Sequence, residues 1–529
     1  MAKASGAYEI RRMSTRRAFA PRPASCLRSL LLCLVVLLGL PARADGQGIV
    51  RRVPARYPTI QGAVDAAAPG DLILIDRGIY REQVVVRVPS LVIRGRDRAA
   101  VVLDGEGTRE TGVEIVADGV ALENLTVRQH RTQGIVWRGV HGLRGRYLTV
   151  HDNGRYGIRL DRAVDGLIEE SYVSGAAEAG IAVAHCAPCE IVVRRVLVEH
   201  NGAGFAAEEA SGALHLVNST WRQNRVGLLP HGRDTSGTVV RATDGMALTV
   251  IRGNLIHDNA NRSAPARGRA GIGWGNGVLI SGADATLVAE NVIVNHIGHG
   301  VLIAPLPGVG ASGARGNRVT RNIIVASSRA DIGVGGPHTQ ENCLEAQANH
   351  VTRAPAWFRC DGTRVRGVDN DLVPAMTFAL RRWRLGPRVD SLPGTLILPP
   401  VLPSLEGPDR AEVRPAVAVF AAVRPSLDSI AIPAAADSIR RAAQIAGTVP
   451  EGTPRVGAFI AAFQELLPFS STLLIVVLAL LGGWRAGIVW WVRRGHTARK
   501  ALRAWRVAVG ALGVWIGLAV AVAISFSGV

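Results

Sequence analysis

A chain of 529 residues with 61 Lys and Arg against 42 Asp and Glu, and a net charge of +19, invites a nucleic-acid reading. The placement of the charge excludes it: residues 1–44 carry +7, residues 485–506 carry another +7, and only +5 on 46 bases and 41 acids remains elsewhere. The long central region is nearly neutral and lacks the basic stripe that a phosphate backbone demands.

At the N-terminus, Arg11, Arg12, Arg16, Arg17, Arg22 and Arg28 precede an apolar run, Leu30 to Leu40, and then PARAD with an A-x-A ending at Ala44. That is the order of a secretory signal, so 1–44 is read as a signal peptide. TRRAFA (15–20) matches a twin-arginine pattern, but arginines are so dense here that the export route stays open.

Beyond the signal the sequence repeats. A glycine followed by an apolar residue falls at Gly134, Gly157, Gly180, Gly204 and Gly227, in steps of 23, 23, 24 and 23, and again at Gly277 and Gly300. A second marker, an asparagine opening an apolar run, falls at Asn218, Asn254, Asn291 and Asn322. The 50 residues from Gly227 to Gly277 are one coil of 23 with insertions of 13 and 14, at 231–243 and 262–275; a smaller one lies at 305–313. Each unit holds apolar runs of period two, such as IVVRRVLV (191–198), and no helical stripe. A unit of this size fits two or three strands and tight turns and cannot bury its apolar face alone. Stacking at about 4.8 Å per coil builds a continuous core. The expected fold is an all-β solenoid, a right-handed parallel β-helix over 45–362, with glycines and asparagines at turns for their tolerance of positive φ. A leucine-rich repeat would carry an L-x-x-L-x-L signature, which is missing.

Two of six cysteines lie in the signal; the other four, Cys186 and Cys189 in CAPC and Cys343 and Cys360 around the last repeats, are expected as two disulfides in an exported chain. Residues 363–465 lose the periodicity, gather prolines and read as a stalk or linker. The tracts 466–484 and 507–529 are each long enough to cross about 30 Å of hydrocarbon. The basic, acid-free loop 485–506 between them is expected in the cytoplasm. The solenoid would then sit outside a bacterial cell membrane on a two-helix hairpin.

YPTIQGAVDAAAPGDLILIDRGIYREQVVV (57–86) resembles the opening of the pectin-lyase-like right-handed β-helix superfamily, and 118–335 looks like the NosD-type β-helix repeat. The resemblance covers about 53–362. It implies the fold, with a short amphipathic helix at about Thr59 to Ala67 covering the first coil, then a strand and a G-x-Y-x-E turn at GIYRE (78–82). It leaves chemistry open, because the superfamily hosts lyases, hydrolases, esterases, epimerases and non-catalytic members. Of its catalytic signatures only GHG (298–300) is present, on a repeat glycine; YGIRLDR (156–162) lacks the histidine of the epimerase D-P-H-D pattern.

Site candidates follow from the alternation. After each repeat glycine the first and third residues face in and the second and fourth face out. The fourth position reads Arg138, Asp161, Ala184, Glu208, His231, Ser281 and Ala304; Arg159 takes a second position, and His185 and Glu209 follow one residue later. Asp161 and Glu208, two coils and roughly 9–10 Å apart, approach the carboxylate spacing of inverting glycosidases and are the candidate acid and base, with His231 assisting. Arg138, Arg159, His185, Glu209, Asp234 and Trp274 are the candidate ligand contacts, the last two from insertions that would wall the face, with Trp274 stacking on a sugar. His130, His200 and His296 share a column with Asn153 and Gln223, which fits hydrogen bonds to turn backbones rather than a metal set. No metal or cofactor is expected. The functional expectation is a protein that binds cell-envelope polysaccharide and, in a catalytic version, processes it; the alternative is a non-catalytic scaffold or NosD-like accessory protein.

Overall fold

Three short strands per coil, joined by sharp corners, make up the 23-residue period in the computed structural model. The structure describes residues 48–210, 212–231, 249–265, 273–304, 314–335, 341–345, 356–366 and 399–405, with a few positions between them. Successive strands fall into three sheets, of 14, 10 and 11 strands, taken here as the first, second and third sheets. One coil runs Ala121–Glu123, Thr126–Arg128 and Gln133–Arg138, and the next begins with His141–Arg146. Register follows the repeat: Ile135 lies beside Ile158, Ile158 beside Ile181, and Ile181 beside Phe205, all parallel. The run 191–198 is divided by a corner into Ile191–Arg194 on the first sheet and Leu197–Glu199 on the second. Inward residues of all three sheets form one core, in which Trp137, Phe205 and Trp221 are fully buried.

Positive φ and inward hydrogen bonding, which the sequence pattern assigned to the same residues, belong to neighbours. The corner from first to second sheet turns on Asn124, Tyr147, Glu170, Arg195 and Asn218, each with φ near +50. The next residue points in, and from Ser219 on it forms a ladder: Ser219 N–H donates to Asn254 Oδ1, Asn254 N–H to Asn291 Oδ1, and Asn291 N–H to Asn322 Oδ1. Asn218 is therefore a corner residue and Ser219 holds the ladder place. The second corner behaves alike, turning on Gln129, Asp152, His200 and Gln223 while His130, Asn153, Asn201 and Asn224 face in. His200 and Gln223 thus leave the column in which the sequence placed them. Each ladder asparagine accepts, through Oδ1, from the preceding coil's backbone N–H at about 3 Å, in the buried interior.

The repeat glycines are absent from the positive-φ set. Close approach requires them. A Cβ on Gly157 would stand 2.3 Å from Val173 Cγ1 and 2.7 Å from the carbonyl oxygen of Gly180.

At the start of the solenoid the helix is Ile60–Asp65, with Thr59 accepting from Gly62 N–H. Glu82, from the GIYRE turn, accepts from the N–H groups of Ile60 and Gln61, both at 2.9 Å, and so satisfies donors that a helix start leaves open. Ile60, Ala63 and Val64 enter the core. At the far end Cys343 and Cys360 are bonded, and an antiparallel pair, Ala356–Phe358 with Arg364–Arg366, extends the sheet past residue 362.

The proline-rich segment differs from a free stalk. Residues 399–405 lie against early coils, where Arg98 N–H donates to Ser404 Oγ (2.8 Å) and Leu405 N–H donates to Asn124 Oδ1 (2.8 Å). The signal 1–44, the rest of the linker, the tracts 466–484 and 507–529 and the loop 485–506 lie outside the described residues. Among the described residues no helix is long and apolar enough to cross a membrane.

Candidate functional site

The 23-residue register brings Arg138, Asp161, Ala184 and Glu208 side by side on the outward face of the third sheet. Asp161 is the centre of the group. Its Oδ1 meets His185 Nδ1 at 2.7 Å, its Oδ2 accepts from Arg138 Nη1 at 3.0 Å, and Arg162 lies at 3.9 Å. Arg138 also donates to Glu114, one coil earlier, at 3.1 Å. His185 is the positive-φ residue of the third corner (φ 55), and its ring meets Asp161 of the preceding coil.

Beside this lies a second group. Arg159 Nη1 donates to Glu208 Oε2 at 3.3 Å, and its guanidinium stands 4.6 Å from the centroid of the Tyr156 ring. Tyr156 O–H lies 3.4 Å from Glu208 Oε1. Arg155 flanks the same ring at 5.2 Å and pairs with Glu178. Burial pushes the Tyr156 hydroxyl well above its usual range, helped by the charges of Glu178 and Glu208.

Electrostatics decide what Asp161 can do. Burial disfavours its charged form, but the hydrogen bond from His185 and the charges of Arg159 and Arg162 outweigh that and hold the carboxyl below its usual value. At neutral pH it has no proton to give. The role of acid expected for one of the two carboxylates therefore does not fit Asp161. It suits a group that orients His185, whose side chain is 39% exposed.

Other expectations are redistributed. Trp274 is 3% exposed, donates from Nε1 to the carbonyl of Ala260 and lies under Arg262 at 5.0 Å, so its ring is taken up by packing and offers no open stacking face. His231 is buried, with Nδ1 at 2.7 Å from the carbonyl of Ser281, which ties it to the neighbouring coil instead of the open face. Glu209 sits at a corner, half-buried, with φ 51. Asp234 lies outside the described residues. Cys186 and Cys189, next to His185, are bonded to each other as the sequence led one to expect. Among the described residues no group of three or more His, Cys, Asp or Glu could hold a metal ion.

Tyr156, Arg155, Glu114 and Glu178 join the site although the sequence reading passed over them. Tyr156 sits one residue before a repeat glycine, in an outward column that otherwise reads Gln133, Ala179 and Ala203 on adjacent coils. An aromatic among small residues was the available signal. The patch also has an edge. Ala182, Ala206, Leu229, Leu279 and Leu302, on the outward face of the same sheet, are buried together with Ala270 of the insertion at 262–275. The part-open polar stretch thus ends near Glu208.

A family model described as a right handed beta helix region matches residues 96–221. Among solved structures, the A-module of an Azotobacter vinelandii mannuronan C-5 epimerase is similar at 16% identity and a TM-score of 0.39, over 54% of this chain and 88% of that one. A Geobacillus virus E2 protein is similar at 11% identity and a TM-score of 0.38, over 62% and 65%. An alginate lyase from Paenibacillus sp. follows at 16% identity and a TM-score of 0.29, over 56% and 96%. No curated protein matches the sequence.

Proposed function

We propose, from the premise that this chain is a right-handed parallel β-helix, that the Asp161 patch binds an extracellular polysaccharide. In this reading the solenoid stands outside a bacterial cell membrane, held by the tracts 466–484 and 507–529. The observation that carries it is the patch itself, a polar stretch of the third sheet in which the partly exposed His185 and Arg138 lie over buried Asp161, beside Arg159 and the buried Tyr156 of the neighbouring apolar cluster. Rungs about 4.8 Å apart present polar groups in series, which suits a polymer of repeating units. Guanidinium groups at Arg138 and Arg159 can turn from their internal carboxylates to hydroxyl or carboxylate oxygens of a sugar. In a catalytic version His185, oriented through Nδ1 by Asp161, moves the proton through its other nitrogen. That places the chemistry on an Asp–His pair and leaves Glu208 to position Arg159.

A second reading rests on a specific observation. Arg138, Arg155 and Arg159 all pair with acids inside the patch, so its charges neutralise one another. Such a ladder suits a scaffold or NosD-like accessory protein. Binding of the full chain in mild detergent to panels of neutral and acidic polysaccharides separates the two. The first reading expects binding that falls at least about tenfold in Arg159→Ala and Tyr156→Ala. If no polysaccharide binds, or these variants bind as the parent does, the patch is structural.

A further inference from the structure

The tract Pro399–Leu405 sits far from where the solenoid ends. Its partners, Arg98 and Asn124, belong to early coils, and in the first sheet nine rung steps separate Ala121–Glu123 from Ala356–Phe358. That is about 43 Å at the usual strand spacing. The 32 residues from 367 to 398 can reach about 100 Å when extended, so the return is well within the chain's length.

The surface that receives the tract is built for it. Arg98 is 2% exposed; its side chain lies along the solenoid, with Nε donating to Thr149 Oγ1 (2.8 Å), Nη2 to the Leu148 carbonyl (2.6 Å) and Nη1 to the Pro403 carbonyl (3.3 Å). Its backbone N–H donates to Ser404 Oγ. Asn124 is 1% exposed; its Nδ2 donates to the Gly95 carbonyl, and its Oδ1 accepts from Leu405 N–H. Two buried polar groups of the solenoid thus take partners from the tract. With the tract in place, Asn124 Oδ1 and the Arg98 amide are both satisfied, as buried polar groups require. The tract's side of the contact suits docking. Pro399, Pro400 and Pro403 restrict it before it binds, so little freedom is lost. Val401 is fully exposed, so polar contacts at Pro403 to Leu405 hold the tract.

We infer that residues 399–405 are an intramolecular strap that ties the C-terminal part of the chain to the N-terminal coils of the solenoid. Load applied through the C-terminal region then falls on the coils around Arg98 and Asn124, and the bonded end at Cys343–Cys360 stays unloaded. The inference does not depend on what the third sheet binds.

The test uses the full chain in mild detergent, with a site-specific protease sequence inserted between Asp390 and Ser391 and an affinity tag on the solenoid side. After cleavage the C-terminal fragment should stay with the tagged solenoid. The double variant Ser404→Ala, Leu405→Pro alters only the strap and removes one acceptor and one donor. It should release the fragment at least about tenfold faster and speed hydrogen exchange at the Arg98 amide by a similar factor. A parent fragment that washes away on cleavage, or an Arg98 amide that exchanges equally in parent and variant, would overturn the strap.

Discussion

Gly227→Ala separates two reasons for a glycine column. The Cβ it adds would stand 2.3 Å from the carbonyl oxygen of Gly277 and 3.0 Å from Asn259 Nδ2. An ordinary carbon–oxygen contact is about 3.3 Å, so the shortfall is about 1 Å. The carbonyl cannot swing aside, because it accepts the ladder bond from Leu228 N–H at 2.9 Å. The rungs must part locally, weakening that bond and the one from Gly227 N–H to the Asn276 carbonyl (3.1 Å). Two ladder bonds at about 1 kcal/mol each, with overpacking of about 1–3 kcal/mol, put the destabilisation at about 3–5 kcal/mol. Gly139→Ala is the contrast. Gly139 has φ +63 and nothing within 4 Å of its Cβ position, so only a conformational penalty of about 1–2 kcal/mol applies. Thermal unfolding followed by far-ultraviolet circular dichroism should lower the midpoint by about 10 °C for Gly227→Ala and by only a few degrees for Gly139→Ala. Equal shifts, or a larger one at Gly139, would refute the close-approach reasoning.

Burial pushes the imidazoles of His130 and His296 down to about 4, against an ordinary value of 6.5. The unfolded chain therefore binds more protons between those values, so stability is complete above about pH 6.5 and falls by a few kcal/mol toward pH 4. His130→Asn and His296→Asn, which introduce the residue used elsewhere in that ladder, should flatten the profile of unfolding midpoint against pH; an unchanged slope would assign the acid sensitivity elsewhere. Cys343–Cys360 closes a longer loop (separation 17) than Cys186–Cys189 (separation 3), so Cys360→Ser should cost about 3 kcal/mol against about 2 kcal/mol for Cys189→Ser. Unfolding midpoints in the reverse order would argue that the last coils hold without their bridge.

The period was legible because every coil must return its chain to the same place, and a fixed return writes itself into spacing. Register came with it: the outward series Arg138, Asp161, Ala184, Glu208 is adjacent as counted. Less was legible at the corners. One residue takes positive φ and the next faces in, and asparagine suits both tasks, so composition alone could not say which neighbour did which. The step of 24 from Gly180 to Gly204 conceals more. Gly180 precedes the ladder residue Asn201 by 21, where Gly157 precedes Ala176 by 19, and the turn from Asn201 to Gly204 is one residue shorter than that from Ala176 to Gly180. An insertion of two and a deletion of one look like a single extra residue.

That hidden insertion matters to the site. The preceding coil crosses from the third sheet to the first with two residues, between Asp161 and Val164. This coil uses four, between Cys186 and Ile191, and the disulfide spans them. His185 stands next to the bridge, at the corner where its ring turns to Asp161. Outward alternation alone would have put an alanine, Ala184, beside Asp161 and nothing more. The imidazole takes the corner place that Arg162 holds one coil earlier, both at positive φ. Sequence periodicity sees rungs, and this contact is made between rungs. The same reason kept Trp274 and His231 out of reach of pattern reading: both lie where an insertion begins or ends, and their surroundings are set by packing against other coils, which no spacing records.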